Sequence, residues 1–191
     1  MRSKSPFFKL LFAVLILLMH EFTCSKVLIL IPTCNNPSFI EVQHKTFKKF
    51  LKDDHEIIVF NDARDSKINQ SIVDTCNDYN IQCIQIPQEI HDRPYLLREA
   101  GAYWHLSNYH SPSVRNCNVV QYMLDTVGFK FEGIVALIEG DLFLIDNFSI
   151  EEYMKNSSLA GYVKKSHPKT LYEYLWIGQN FLDMRTLPNK E

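Results

Sequence analysis

A run of strand-forming residues, Gly133-Ile-Val-Ala-Leu-Ile138, stops abruptly at Glu139-Gly140-Asp141 before the apolar Leu142-Phe-Leu-Ile145. An apolar, β-branched run of this length reads as a strand covered on both faces. That points to an α/β fold in which helices flank a parallel sheet. Carboxylates at the C-terminal end of such a strand lie where open α/β sheets bind ligands. Two acidic side chains either side of a glycine can hold a divalent ion through oxygen ligands while the ion bridges phosphate oxygens, and the glycine lets a ligand approach the backbone. The plainer reading of an isolated Glu-Gly-Asp is an acidic turn that ends a core strand. Context has to separate the two.

The rest of the chain supplies alternating elements. Lys26 to Ile31 reads as a buried strand ending at Pro32-Thr33-Cys34-Asn35-Asn36. Pro37 then opens a helix whose apolar face carries Phe39, Ile40, Phe47, Phe50 and Leu51. Glu56 to Phe60 is a second strand, stopping at Asn61-Asp62-Ala63-Arg64-Asp65, and a helix through Ile68, Ile72, Val73 and Cys76 follows. A short third strand, Gln82 to Ile86, ends at Pro87. This alternation predicts a parallel sheet with right-handed crossovers. From His91 to Val127 the pattern gives a loop and two helices, the second from about Pro112 to Val127 with Arg115-Asn116 on it. After Asp141 come a short acidic helix, Ser149 to Met154, and strand-like pieces at Leu159 to Val163, Tyr174 to Ile177 and Asn180 to Leu182. Tyr162, Tyr172, Tyr174, Trp176 and Phe181 crowd this last region. They read as the packing of a small antiparallel layer, with a sugar-stacking platform as the sharper alternative.

Charge and composition exclude several classes. With 20 Lys+Arg against 22 Asp+Glu and no long basic run, electrostatic binding to nucleic acid has no support. At 46% apolar and 22% charged residues, the 191-residue chain is neither disordered nor a coiled coil, and one domain is expected. The N-terminus is a separate segment. Arg2, Lys4 and Lys9 precede the apolar run Leu10 to Met19, and Thr23-Cys24-Ser25 follows, which is the organisation of a secretory signal peptide over residues 1–25. That run is well short of the roughly 20 residues that span a bilayer, so no stable membrane span is expected after cleavage. An uncleaved N-terminal anchor is the alternative. Cys34, Cys76, Cys83 and Cys117 then remain, compatible either with disulfides in an oxidising compartment or with buried free thiols; Cys76 and Cys83 flank a turn and are the pair best placed to join. Asn69, Asn147 and Asn156 begin glycosylation triplets.

In order along the chain, the strand ends carry Pro32-Thr33 and Asn61-Asp62, a helix carries Arg115-Asn116, and the next strand ends in Glu139-Gly140-Asp141. That order resembles the nucleotide-binding half of GT-A-fold glycosyltransferases, in particular the family 2-like group, over roughly Lys26 to Leu187. The resemblance implies a GT-A-like (Rossmann-like), mainly parallel sheet flanked by helices, with a small antiparallel extension at the C-terminal end, filling residues 26–191. It implies nucleotide contacts from Pro32, Thr33, Asn61, Asp62, Arg115, Asn116 and Glu139, and a Mn²⁺ or Mg²⁺ ion on Asp141 and Glu139. The partners it implies are a nucleotide-sugar donor and a carbohydrate, lipid or protein acceptor. The chemistry gives these residue types a reason. The leaving diphosphate carries charge that a carboxylate-held cation neutralises, and Arg115 is a charge-assisted donor.

The sequence departs from that pattern in three ways. The first acid of the D-x-D motif is Glu139, one methylene longer. No residue of the tail is recognisable as the catalytic base or late metal ligand, so the catalytic residue is unassigned. The sequence ends at Glu191, where such enzymes usually continue into an acceptor-binding half, so the domain is expected to be incomplete at its C-terminus. The rival expectation is a catalytically silent secreted domain that keeps the fold to bind a sugar or a protein. A phosphate-handling Rossmann-like enzyme is disfavoured, because neither G-x-G-x-x-G nor G-x-x-x-x-G-K-[ST] occurs.

Overall fold

All six strands in the sheet carry an apolar core residue on each face or pair with one that does, and their order explains where the acidic turn ends up. A computed structural model describes residues 27–91, 112–165 and 173–188. The signal peptide, the first of the two helices expected after His91, and Tyr172 lie outside the described residues. Strands β1 (Val27–Thr33), β2 (His55–Asn61), β3 (Gln82–Gln85), β4 (Ile134–Ile138), β5 (Leu159–Lys165) and β6 (Glu173–Asp183) form one sheet in the order β3-β2-β1-β4-β6-β5. The first four are parallel, with β1 central between β2 and β4. β6 pairs antiparallel with both β4 and β5. A mainly parallel sheet flanked by helices, with an antiparallel extension at its C-terminal end, is therefore the architecture observed.

Helices α1 (Ser38–Phe50), α2 (Ser66–Asp78), α3 (Gln88–His91), α4 (Pro112–Thr126) and α5 (Ile150–Met154) cover the two faces. Successive residues of a strand point to opposite sides. Ile29, Ile31, Ile57, Val59, Ala136 and Ile138 pack under α1 and α2, while Leu28, Leu30, Ile58, Phe60, Val135 and Leu137 pack with Val119 and Met123 of α4. All five residues of β4 are buried, the two-sided burial that its unbroken apolar run requires. Asp65 caps α2, its carboxylate accepting from the N–H groups of Lys67 and Ile68 at 2.9 and 3.0 Å.

One element differs from expectation. Tyr174–Ile177 and Asn180–Leu182 are not two pieces but parts of the single strand β6. Gly178 and Gln179 interrupt the apolar pattern without breaking the ladder, since Gln179 pairs with Ile138 and Asn180 with Leu137. The aromatic residues there also divide. Phe181 is buried in the core, whereas Tyr162 is 63% and Trp176 38% exposed. All four cysteines after the N-terminal segment are free; Cys76 is buried and its thiol is hydrogen-bonded to that of Cys83.

The chain following β4 returns across the end of α1. Phe148 N–H donates to the Phe50 carbonyl and Lys52 N–H to the Phe148 carbonyl, both at 2.9 Å. Asp53 completes this seam by accepting from the Ser149 hydroxyl at 2.7 Å and from Ile150 N–H at 2.6 Å, at the start of α5. Asp53→Ala should therefore lower unfolding free energy by about 1–2 kcal/mol, and Asp54→Ala, one residue on and exposed, should change it by no more than about 0.5 kcal/mol. Paired urea denaturation curves check the contrast, and equal losses would remove the seam's special status.

Candidate functional site

The chain runs from β1 outward through β2 to β3 and then crosses back to β4 on the other side of β1. This places a change of direction between β1 and β4, and the crevice beyond the carboxyl ends of those two strands is where open α/β sheets take ligands. A cavity of about 470 Å³ lies there. Its wall includes Pro32 and Thr33 from the end of β1, Asp62 from the end of β2, Arg115 and Asn116 from α4, and Glu139, Gly140 and Asp141 from the turn after β4. Seven of the eight residues expected at the site thus line one cavity, drawn from four separate segments of the chain.

Asn61 is the exception. It is fully buried, its Nδ2 donating to the Asn69 carbonyl at 3.1 Å and its Oδ1 accepting from Ala63 N–H at 3.0 Å. Its side chain shapes the loop that carries Asp62 rather than facing the cavity. A strand residue adjacent to a site points to the opposite side of the sheet from its neighbour, which a sequence pair such as Asn61-Asp62 does not reveal.

Asp62 and Arg115, expected as separate contacts, are partners. Arg115 Nε and a terminal nitrogen donate to Asp62 Oδ2 at 2.8 and 2.7 Å, and Nη2 also reaches the Asp62 carbonyl at 2.6 Å. The pair joins α4 to the end of β2, and Arg115, half-buried, retains donors in its planar fork for a ligand. Thr33 is 5% exposed and its hydroxyl has no hydrogen-bond partner among the described residues. A buried hydroxyl in a cavity wall is a group to which a bound polar molecule would restore a partner.

The Glu139–Asp141 turn is built by residues that the sequence pattern did not single out. Gln43 of α1, fully buried, donates from Nε2 to the Glu139 carbonyl at 2.9 Å and to the Leu142 carbonyl at 3.1 Å. Glu139 N–H donates to the Gly178 carbonyl at 2.9 Å. Gly140 has a different reason from the one expected: a Cβ there would stand 2.7 Å from the Pro32 carbonyl oxygen, so the absent side chain lets the turn close onto β1. Gly178 makes a second such space, since a Cβ on it would lie 2.5 Å from both Glu139 Oε2 and Trp176 Nε1. The indole N–H of Trp176 donates to the Glu139 carboxylate.

Burial pushes the Glu139 carboxyl above the ordinary range, and the neighbouring Asp141 adds to the rise against the opposing Trp176 hydrogen bond. Burial also raises the Cys34 thiol at the cavity rim, with Asp62 next in size, so this thiol stays neutral. No group of three or more His, Cys, Asp or Glu side chains among the described residues is placed to hold a metal ion. Glu139 and Asp141 are two. Two carboxylates suit a cation of the Mg²⁺ type, which takes one or two from the protein and its remaining ligands from water and substrate phosphate. The repulsion from Asp141, which adds to the rise that burial causes at Glu139, is what a divalent ion held by the two would relieve.

No protein-family model and no curated relative matches this chain. Solved structures do. The chain is similar to a mannosyltransferase from Pyrobaculum calidifontis in complex with GDP-Man and Mn²⁺, at 11% identity and a TM-score of 0.41, over 75% of this chain and 37% of that one. It is similar to the bifunctional glycosyltransferase WbbM in its apo form, at 9% identity and a TM-score of 0.48, over 86% of this chain and 32% of that one. It is also similar to core-mannan synthase A from Aspergillus fumigatus in its Mn/GDP form, at 13% identity and a TM-score of 0.42, over 72% of this chain and 41% of that one. The chain spans about 32–41% of the length of these structures. The likeness is one of fold.

Two substitutions, one in α1 beneath the turn and one in the turn itself, should act in opposite directions. Gln43→Leu removes the amide's bonds to the part-buried Glu139 and Leu142 carbonyls and should cost about 1–3 kcal/mol of stability. Glu139 is raised in the folded state, so folding favours its neutral form: that contribution is full below the pKa of the unfolded chain and is lost as pH rises through the higher folded value. Glu139→Gln should accordingly raise the thermal midpoint at pH 7, and the gain should vanish as pH falls to the ordinary glutamate range. A midpoint lowered at pH 7, or a gain that persists unchanged at low pH, would contradict the electrostatic assignment.

Proposed function

We propose that this domain binds a nucleotide-diphosphate sugar with the help of a divalent cation and serves the transfer of that sugar to a carbohydrate, lipid or protein acceptor. The observation that carries the reading is the convergence of residues from β1, β2, α4 and the turn after β4 on one cavity at the reversal of strand order. Function is argued from that site, since fold by itself does not specify activity.

Charge supports the cation. Among the described wall residues, Asp62, Glu139 and Asp141 face a single cationic side chain, Arg115, itself engaged by Asp62. A diphosphate would meet net negative charge there and be repelled, whereas a Mn²⁺ or Mg²⁺ ion on Asp141 and Glu139 reverses the sign. Such an ion supplies charge neutralisation as the bond between sugar and phosphate breaks. The chain's own residues do the rest of the binding. Asp62, fixed by Arg115, accepts from a ribose or base donor; the Arg115 fork and the Thr33 hydroxyl donate to the nucleotide; Asn116 and Pro32 shape the wall. Gln43 keeps the two carboxylates in place by holding their turn. The proton acceptor for the incoming hydroxyl is not assigned to any described residue.

The N-terminal segment, with its basic start and short apolar run, supports placing the domain in the secretory pathway or outside the cell. No helix among the described residues is long and apolar enough to cross a membrane.

Asp141→Asn removes one formal charge from the ion's ligands. It should weaken Mn²⁺-dependent binding of UDP- or GDP-sugars tenfold or more, about 1.4 kcal/mol, measured by calorimetry. Because Asp141 is exposed, the thermal midpoint should hardly move. A destabilised variant with unchanged, metal-independent nucleotide binding would return Asp141 to a turn cap, and absence of any nucleotide-sugar binding by the unmodified protein would end the proposal.

A further inference from the structure

Trp176 is packed only in part. Phe181, on the same strand, is 1% exposed and fills the core, while Trp176 leaves 38% of its surface open. Its place follows from register. Ile138, the last residue of β4, pairs with Gln179, and β6 is antiparallel to it, so Trp176 stands beyond the end of β4 on the side of the acidic turn. Its indole N–H is held by the Glu139 carboxylate, and Gly178 leaves the space in which these two groups meet. Lys164 of β5 sets its ammonium 4.0 Å from the centre of the indole ring. Tyr162, from the same hairpin, is 63% exposed.

A large aromatic ring fixed by its polar edge, partly open to solvent, with an ammonium over it and a carboxylate beside it, matches the surface chemistry of a pyranose. Lys164 covers part of the indole face, so a pyranose C–H face would pack on the part of the ring that Lys164 leaves open, with its hydroxyls reaching the Glu139 carboxylate at the ring's polar edge. We infer that Trp176, with Lys164, forms a sugar-stacking platform contiguous with the nucleotide cavity through Glu139. The sugar has two possible sources, the one carried by the donor or one on the acceptor. For the donor sugar the inference rests on the nucleotide reading above; for an acceptor sugar it does not.

Calorimetry in the presence of Mn²⁺ separates these cases with three probes: UDP or GDP, the corresponding nucleotide-sugars, and free oligosaccharides such as short mannans. Trp176→Ala should weaken one sugar-bearing probe about fivefold or more relative to UDP or GDP, whose own affinity reads any shift of Glu139 on losing the indole N–H. Loss confined to the nucleotide-sugar assigns the platform to the donor, and loss confined to the oligosaccharide assigns it to the acceptor. Trp176→Phe keeps an aromatic face but not the N–H, so recovery of sugar affinity in this variant attributes the effect to stacking rather than to the bond with Glu139. It also guards against misfolding of the alanine variant. If the unmodified protein binds no UDP or GDP, the nucleotide reading fails and the platform is decided by the oligosaccharide alone. Sugar affinities unchanged by Trp176→Ala, or no sugar bound by the unmodified protein, would overturn the inference.

Discussion

The buried amide of Gln43 is the constraint on which the site depends. One nitrogen reaches the carbonyls of Glu139 and Leu142, and through them α1 fixes the turn that β4 alone would leave free to splay. The backbone beneath is fixed too, because Gly140 lies against the Pro32 carbonyl. The end of β1, the start of the turn and the interior face of α1 are therefore tied together. Carboxylates on a loop held this way keep their separation without a bound ion, which lowers the reorganisation needed when a ligand arrives.

On the opposite wall the same role falls to the Asp62–Arg115 pair. Its partners lie 53 positions apart and tie α4 to the end of β2. Asp62 is nearly buried, and a charge taken from water is stable only with a partner and hydrogen bonds. Arg115 provides both. The price in function is a guanidinium already half committed, which leaves the carboxylates of the wall in excess. Under the proposed function, a need for a cation would follow from how the wall is braced.

Much of this was legible in the sequence, and the parts that were not share a cause. The strands β1, β2 and β4 and the helices between them follow from uninterrupted apolar runs and 3.6-residue periodicity, and the residues at the strand ends could be named from those boundaries. Gln43 could not, since a polar residue within the Phe39–Leu51 helix reads as solvent-facing; only the tertiary position of the turn makes it interior. Asn61 and Asp62 are alike in sequence and opposite in direction. β6 looked like two fragments because Gly178 and Gln179 serve contacts rather than the apolar pattern. In each case the deciding quantity is where a side chain points after packing, which local pattern does not carry.

Glu139 brings these points together. Its carboxylate is partly buried, set beside Asp141 and held by Trp176, an arrangement that folding alone would not favour, since each of the first two features opposes its charge. Residues that violate the local rules of stability while the surrounding structure takes trouble to hold them are the ones for which a role in binding is the economical account. Here the supporting structure is specific: Gln43 beneath the turn, Gly140 to let it close, Gly178 to admit the indole. A simple strand-ending acidic turn needs none of the three, and the presence of all of them favours a turn shaped to present its carboxylates to a ligand.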